Sequence, residues 1–178
     1  MKRVYSLFTL VGTLALVGCQ ATHYFSKPNT LAKATLEARS GSEVSGEVTF
    51  EEKKESVLVS VNLHGLKPNS EHGFHVHEKG DCSAPDASSA GGHFNPDGHP
   101  HGNPEQLKRH AGAMKNLIAD QQGNVITAFE VDTIRLNISK YGILNRALIV
   151  HANPDDYSSQ PVGNAGGRLA CGIIRSSR

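Results

Sequence analysis

The sequence VLVSVNL, residues Val57–Leu63, places a branched apolar side chain at every second position. Side chains of a β-strand alternate between the two faces of a sheet, so this spacing predicts a strand with one apolar face. The stretch Val44–Phe50, which reads VSGEVTF, repeats the period, with serine, glutamate and threonine on its polar side. We therefore predict strands that cover a common core.

Five more strand-like runs follow, separated by connections rich in glycine, proline and asparagine. They are His72–His77, Leu117–Ala119, Asn124–Val131, Ala147–His151 and Arg168–Ile174. Short strands of this kind predict an all-β protein, an antiparallel sandwich or barrel. Two segments, Lys79–His110 and Asn153–Gly167, exceed ordinary loop lengths. Because the first of them carries four histidines, we interpret both as functional loops rather than disordered ones.

The composition indicates one globular domain and no nucleic-acid partner. The chain has 178 residues, and its 18 lysines and arginines nearly balance its 17 aspartates and glutamates. Nucleic-acid binding needs a basic surface that neutralises phosphates, and this balance gives it no support. Ten histidines are more than packing needs, and they indicate a metal or proton-handling site.

The N-terminal residues have the pattern of an export signal. Two basic residues precede the mostly apolar stretch Leu7–Val17, which is too short for a membrane span of about 20 residues. The sequence LVGC, which ends at Cys19, resembles a bacterial lipobox, in which the cysteine is lipidated. We predict a signal peptide at 1–18, a lipidated tether at 19–30 and a domain at 31–178. The protein would then be periplasmic and anchored in a bacterial membrane, with Gln20 favouring the outer one. The alternative is an ordinary signal peptide in which Cys19 is incidental.

The cysteine count fits lipid modification. Three cysteines are an odd number for an exported protein. If a lipid uses Cys19, then Cys82 and Cys171 remain as a pair in an oxidising compartment. We therefore predict one intramolecular disulfide.

The histidine spacing indicates a metal centre. His75 and His77 are two residues apart on a predicted strand, so their imidazoles lie on the same side. With four further histidines, they make six candidate ligands. Six imidazoles exceed what one four-coordinate ion uses, so we predict two metals. Ligation by nitrogen alone suits copper and zinc. The sequence contains no His-Glu-x-x-His motif, so nothing in it indicates a zincin-type peptidase. The other four candidates stand on separate segments: His93, His101, His110 and His151.

Four sequence blocks resemble the copper/zinc superoxide dismutase family. They are FHVHE at Phe74–Glu78, GDC at Gly80–Cys82, SAGGHFNP at Ser89–Pro96 and GNAGGRLACG at Gly163–Gly172. The resemblance runs from about Leu31 to Ile174 and implies an antiparallel Greek-key β-sandwich or barrel. It also implies an enzyme that disproportionates superoxide to oxygen and hydrogen peroxide, with copper and zinc as cofactors.

The same resemblance assigns the metal ligands. His93 would bridge the two metals. The implied copper ligands are His75, His77, His93 and His151, and the implied zinc ligands are His93, His101 and His110.

The resemblance also assigns supporting and catalytic residues. His72 would make local hydrogen bonds, and Asp155 would link His75 to His101. Arg168 would attract superoxide, and His93 would also be catalytic, as a proton carrier. In addition, the family disulfide matches Cys82 and Cys171.

The chain departs from the family at the implied zinc site. The family has an aspartate ligand three residues after the histidine at His110, where this chain has Ala113. We predict that zinc binds more weakly or is absent while copper chemistry is retained. Three groups stay open as replacements for the missing zinc ligand: a water molecule, Asp97 and His99. This chain has Val162 where many relatives have a threonine beside the substrate channel. We expect only a modest effect from the loss of that hydroxyl.

Other functions remain open at this point. The resemblance implies protection of the periplasm from superoxide. The alternative is a non-catalytic periplasmic protein that binds or buffers copper, and a weaker hypothesis is a metal hydrolase that uses an open zinc position. Association as a homodimer also stays open.

Overall fold

The structure, a computed structural model, describes residues 31–137 and 139–177. The predicted signal peptide and the tether with Cys19 lie outside this part of the chain. Within it there are ten strands and one short 3₁₀ helix at Ser88–Ala90, and no helix is long and apolar enough to cross a membrane. The strands are β1 Leu31–Ala38, β2 Ser45–Glu52, β3 Val57–His64, β4 Glu71–His72, β5 Phe74–Val76, β6 Leu117–Ile118, β7 Val125–Val131, β8 Ala147–His151, β9 Arg168–Ile173 and β10 Arg175–Ser176.

Eight of these strands form one antiparallel sheet. Its order is β5-β8-β9-β1-β2-β3-β7, with β10 paired to β1 outside this path. Strand β9 is late in the sequence but lies beside β1, and β3 pairs with β7 rather than with the next strand, so the sheet is not a simple meander. Strands β4 and β6 form a separate pair. The predicted all-β antiparallel fold class is confirmed.

The apolar faces predicted from the alternating pattern form the core. Val57, Val59 and Leu63 of β3 are fully buried, and so are Val48 and Phe50 of β2. The two strands pair along their whole length. Burying a side chain of this size contributes about 1.5–3 kcal/mol relative to leaving it exposed. This core supports the sheet that carries the first histidines.

The predicted strand His72–His77 is wrong in one respect, because it is divided at Gly73. The part before the glycine pairs with β6, and the part after it pairs with β8. The Gly73 peptide groups bond elsewhere: its N–H donates to the Asn153 carbonyl at 2.8 Å, and its carbonyl accepts from the His151 N–H at 2.8 Å. A Cβ at Gly73 would lie 2.9 Å from the Ala165 side chain. The close approach of the second long loop therefore divides the strand.

Neither of the two predicted long loops contains a strand, and a disulfide joins the first loop to the sheet. Its Cys82 forms a disulfide with Cys171 of β9, so the predicted intramolecular disulfide is present. The disulfide holds the loop against β8 and β9. A small buried cluster surrounds it, made of Ala87, Ala90, Ala147 and Ile149.

Removing this disulfide should lower stability substantially. Cys82 and Cys171 are 89 residues apart in sequence. A cross-link closing a loop of that size stabilises by roughly 4–5 kcal/mol in the chain-entropy model. We expect the double variant Cys82→Ala, Cys171→Ala to lose about that much unfolding free energy in a urea titration of the metal-free protein. An unfolding curve that superimposes on the wild-type curve would contradict this role.

Candidate metal centre

Six buried histidines converge near strands β5 and β8. His75 lies within β5, His77 directly follows it, and His151 ends β8. Because β5 and β8 are paired, the rings of His75 and His151 come within 4.9 Å, centroid to centroid. None of the six histidines is more than 7% exposed. The first long loop supplies the other three: His93, His101 and His110.

The ring nitrogens form two groups. Within each group, one ring nitrogen of every histidine lies within 4.8 Å of the others. His93 belongs to both groups, and an imidazole has two nitrogens with which it can face two ions. The four-histidine group is His75, His77, His93 and His151, and the three-histidine group is His93, His101 and His110.

Backbone carbonyls determine which nitrogens of His77 and His151 are free. His77 Nδ1 donates to the Gly91 carbonyl at 2.9 Å, and His151 Nδ1 donates to the Gly166 carbonyl at 3.3 Å. A carbonyl oxygen only accepts, so in the neutral rings both Nε2 atoms carry lone pairs. These two Nε2 atoms lie 3.2 Å apart. Lone pairs that face each other repel, and a cation with metal–nitrogen bonds of about 2.0–2.1 Å fits between them.

Asp155 fixes the free nitrogens of His75 and His101. Its Oδ2 accepts from His75 Nε2 at 2.7 Å, and its Oδ1 accepts from His101 Nε2 at 2.8 Å. The Nδ1 atoms of both histidines are therefore left with lone pairs. These two atoms and His93 Nε2 are buried and have no hydrogen-bond partner among the described residues. Buried polar atoms nearly always have a partner, so the unpaired nitrogens fit metal ligation.

The buried environment favours neutral imidazoles. Burial lowers the pKa of His75, and it lowers the pKa of His110 to about 4 and that of His151 to about 3. Burial opposes ionisation of Asp155, but the hydrogen bonds from His101 and His75 outweigh it and hold the pKa of this carboxyl below its usual value. A metal requires unprotonated imidazole nitrogens, so these groups are ready to bind one near neutral pH.

Arg168 lies beside the four-histidine group. It begins β9 opposite His151, and its guanidinium donates to the carbonyls of Ala87 and Gly91, each at 2.6 Å. The Gly91 carbonyl also accepts from His77, so one oxygen joins the guanidinium to a ring of the group. Burial is the main cause of the low pKa of His77, and the charges of His151 and Arg168 add to it. A permanent cation in this place favours a small anion.

His72 belongs to neither histidine group. Its Nδ1 donates to the His151 carbonyl at 2.8 Å, and its Nε2 is bonded to the Ser70 hydroxyl at 2.7 Å. Both ring nitrogens are thus used, and the side chain holds the end of β8 in place.

The three-histidine group contains no carboxylate. Ala113 is 1% exposed, and its N–H donates to the His110 carbonyl at 3.1 Å. This turn holds residue 113 close to His110 in the chain, but its methyl group cannot bind a metal. The group therefore offers three nitrogens and nothing else from the described residues.

The two side chains considered as substitutes are engaged elsewhere. The Asp97 carboxylate pairs with the Lys140 ammonium and accepts from the Tyr141 hydroxyl at 3.3 Å. His99 Nδ1 donates to the Arg109 carbonyl at 3.3 Å. Neither Asp97 nor His99 belongs to either metal-binding group of the described chain.

Two amide side chains that were not predicted as site residues hold Asp155 and His101. The Asn116 side chain donates to the Asp155 carbonyl at 3.0 Å and accepts from its N–H at 2.9 Å. The Gln160 side chain bonds both backbone groups of His101 in the same way, each at 2.8 Å. Gly163 packs against the same contact with a φ of +64°. No spacing rule identifies an amide that pairs with a distant backbone, so no sequence signal marked these residues.

The fold and the two groups define a buried histidine centre with the ligands to hold two metal ions, beside an antiparallel sheet. Residues 44–174 match the family model described as copper/zinc superoxide dismutase. The chain is 45% identical over 139 residues to Cu-Zn superoxide dismutase 2 of Aquifex aeolicus, which covers 75% of this chain and 80% of that relative. It is 40% identical over 152 residues to the Cu-Zn superoxide dismutase of Schizosaccharomyces pombe, covering 81% of this chain and 97% of the relative. The crystal structure of the clock protein EA4 superimposes with a TM-score of 0.77 at 37% identity, covering 87% of this chain and 99% of that one. The chain therefore belongs to the copper/zinc superoxide dismutase family.

A substitution at Gly163 should disrupt the carboxylate bridge. A Cβ there would lie 1.9 Å from Asp155 Oδ1 and 2.6 Å from His101 Nε2, and the positive φ adds strain. We expect Gly163→Ala to lower the unfolding free energy by about 1–3 kcal/mol and to weaken metal binding. Gly167→Ala is the matched control in the same loop, because a Cβ there has no atom within 4 Å. Equal unfolding free energies and equal metal affinities of Gly163→Ala and Gly167→Ala would contradict the close packing of Gly163 against Asp155 and His101.

Proposed function

We propose that the protein is a copper-dependent superoxide dismutase. It would convert two superoxide ions and two protons to one oxygen molecule and one hydrogen peroxide molecule. The observation that carries this proposal is the four-histidine group, whose free nitrogens converge beside the cation of Arg168. Membership of the copper/zinc superoxide dismutase family supports it, since the relatives carry that activity in their names.

The histidine groups would hold the two metals. Bound copper would supply reversible one-electron chemistry, which suits alternate oxidation and reduction of superoxide. All-imidazole ligation suits copper and zinc rather than magnesium or calcium. Copper would be held by His75, His77, His93 and His151, and zinc by His93, His101 and His110.

His93 has the position needed for a proton carrier. Its Nδ1 lies 3.4 Å from His110 Nδ1, on the side of the three-histidine group. Its Nε2 is buried and has no hydrogen-bond partner in the described chain. The proposed role of Nε2 is to accept a proton in one half-reaction and to donate it toward peroxide in the other.

Arg168 would attract the substrate and orient it. Its two bonds to loop carbonyls restrict the guanidinium, which therefore presents its charge at a fixed place beside the four-histidine group. Positive potential that converges on a site can raise association rates by about 10–1000-fold, and salt weakens the effect.

Superoxide decay in the presence of copper-loaded protein tests this function directly. We expect turnover by the wild-type protein, a second-order rate about tenfold or more lower in Arg168→Gln, and a weaker salt dependence. Arg168→Lys should retain much of the salt dependence because it keeps the charge. Arg175→Gln, which removes an exposed cation on β10, is the control and should behave as the wild type.

Two results would count against the proposal. Copper-loaded wild-type protein that binds the metal but does not remove superoxide would support the alternative, a copper-buffering protein. An Arg168→Gln rate equal to the wild-type rate at low and high salt would refute the role of the guanidinium.

We further propose that zinc binds more weakly than in relatives with a carboxylate ligand. The support is the three-histidine group itself, in which Ala113 supplies no ligand and Asp97 is paired with Lys140. Loss of even an outer supporting partner typically costs about 10–100-fold in metal affinity, so loss of a direct ligand should cost at least as much.

Adding the carboxylate should restore zinc affinity. We expect Ala113→Asp to bind zinc at least about tenfold more tightly than the wild type in a competition titration with a chelator. Asp97→Ala should leave the affinity unchanged. If Asp97→Ala weakened zinc binding while Ala113→Asp had no effect, the assignment of the missing ligand would be wrong.

We also propose that the protein is exported to the periplasm and anchored in a bacterial membrane, with the outer membrane favoured, and that it protects the periplasm from superoxide. The sequence LVGC, with the basic and apolar residues before it, supports lipidation of Cys19. One acyl chain gives only marginal binding, and stable anchoring takes more than one. The homodimer stays a prediction.

Lipidation predicts a simple fractionation result. We expect the wild-type protein in the membrane fraction and Cys19→Ser in the soluble fraction, because the variant has no thiol for the lipid. Cys19→Ser protein that remains with the membrane as fully as wild type would contradict lipid anchoring.

A further inference from the structure

The three-histidine group leaves one coordination position without a protein ligand. Zinc and similar ions are usually four-coordinate, and a site with three protein ligands keeps its fourth position for water or substrate. Two further carboxylates nearby do not supply it: Asp155 bonds the outer nitrogen of His101, and Asp97 pairs with Lys140. The fourth ligand must therefore come from outside the described side chains.

The charge of the group favours an anion in that position. The ligand set contains imidazoles and no carboxylate, so a divalent ion there has no directly bound Asp or Glu to neutralise it. Asp155 is one hydrogen bond removed from the ion. A small anion such as hydroxide would complete the coordination and reduce the buried positive charge.

The segment around His110 also borders open space. A surface cavity of about 330 Å³ is lined in part by Arg109, Ala113 and Met114, which flank His110 on both sides. The Arg109 guanidinium in this cavity is paired with the Asp132 carboxylate, so its charge is compensated within the cavity lining. Ala113 itself borders this cavity, and its methyl group is smaller than a carboxylate side chain.

We propose that the three-histidine group is an open metal site whose fourth position binds a small exogenous anion in exchange with solvent. The ligand class is a compact monodentate anion, such as hydroxide or azide. The proposed route of exchange is the cavity that borders Ala113. This inference rests on the proposed function in that both histidine groups must hold metal ions.

Cobalt(II) and azide test the proposal on the full-length protein. The protein is first loaded with one equivalent of Ag(I) to occupy the four-histidine group and then with one equivalent of Co(II) for the three-histidine group, so that only the second ion absorbs visible light. We expect azide to change the Co(II) absorption in a saturable manner in the wild type. Ala113→Asp should lose this response, because its carboxylate fills the position, and Asp97→Asn should respond as the wild type does.

A second measurement is independent of the variants. Co(II) in the wild-type site should enhance the relaxation of water protons, and saturating azide should remove that enhancement. The proposal would be overturned if azide left the wild-type Co(II) spectrum unchanged and Co(II) gave no relaxation enhancement. An azide response of Ala113→Asp equal to that of the wild type would also overturn it. The superoxide assay fails or succeeds separately, since it reports on copper in the four-histidine group.

Discussion

The carboxylate of Asp155 is the contact on which the metal centre depends. It accepts hydrogen bonds from His75 on β5 and His101 on the first long loop, at 2.7 and 2.8 Å, while it belongs to the second loop. Because both outer nitrogens donate to one anion, both inner nitrogens are left free, one for each histidine group. Asn116 holds the backbone of Asp155, and Gly163 packs closely against the carboxylate. Leaving a buried N–H donor without its acceptor typically costs about 1–3 kcal/mol, so the bonds to Asp155 hold both rings in these orientations.

The two histidine groups differ in how completely the chain supplies their ligands. In the four-histidine group, two carbonyls and Asp155 fix the tautomers of three of the four rings, and Arg168 lies beside the group. The three-histidine group lacks one ligand at Ala113. In the proposed assignment, the chain supplies the full ligand set for the redox metal and leaves an open position at the second ion. His93 belongs to both groups, so a ligand on the second ion would also act on the ring that is shared with the first.

Much of the fold and of the ligand set could be predicted from the sequence, for identifiable reasons. The alternation in Val57–Leu63 follows from burial of one face of a strand, and the pair His75 and His77 follows from the same period. Resemblance to the family identified Asp155, which otherwise has the appearance of a turn residue after Pro154. The division of a predicted strand at Gly73 and the amide contact of Gln160 could not be predicted, because both depend on a loop distant in sequence. Contacts of that kind leave no periodic signal.

The central claim is that the four imidazoles of the four-histidine group bind one copper ion. Electron paramagnetic resonance of the protein loaded with one equivalent of Cu(II) tests it most directly, because nitrogen ligands split the copper signal. The expected spectrum shows a single copper species with nitrogen hyperfine structure from four imidazoles, which changes when His77 or His151 is replaced by alanine. A spectrum dominated by oxygen ligands, or one that neither substitution alters, would contradict the account.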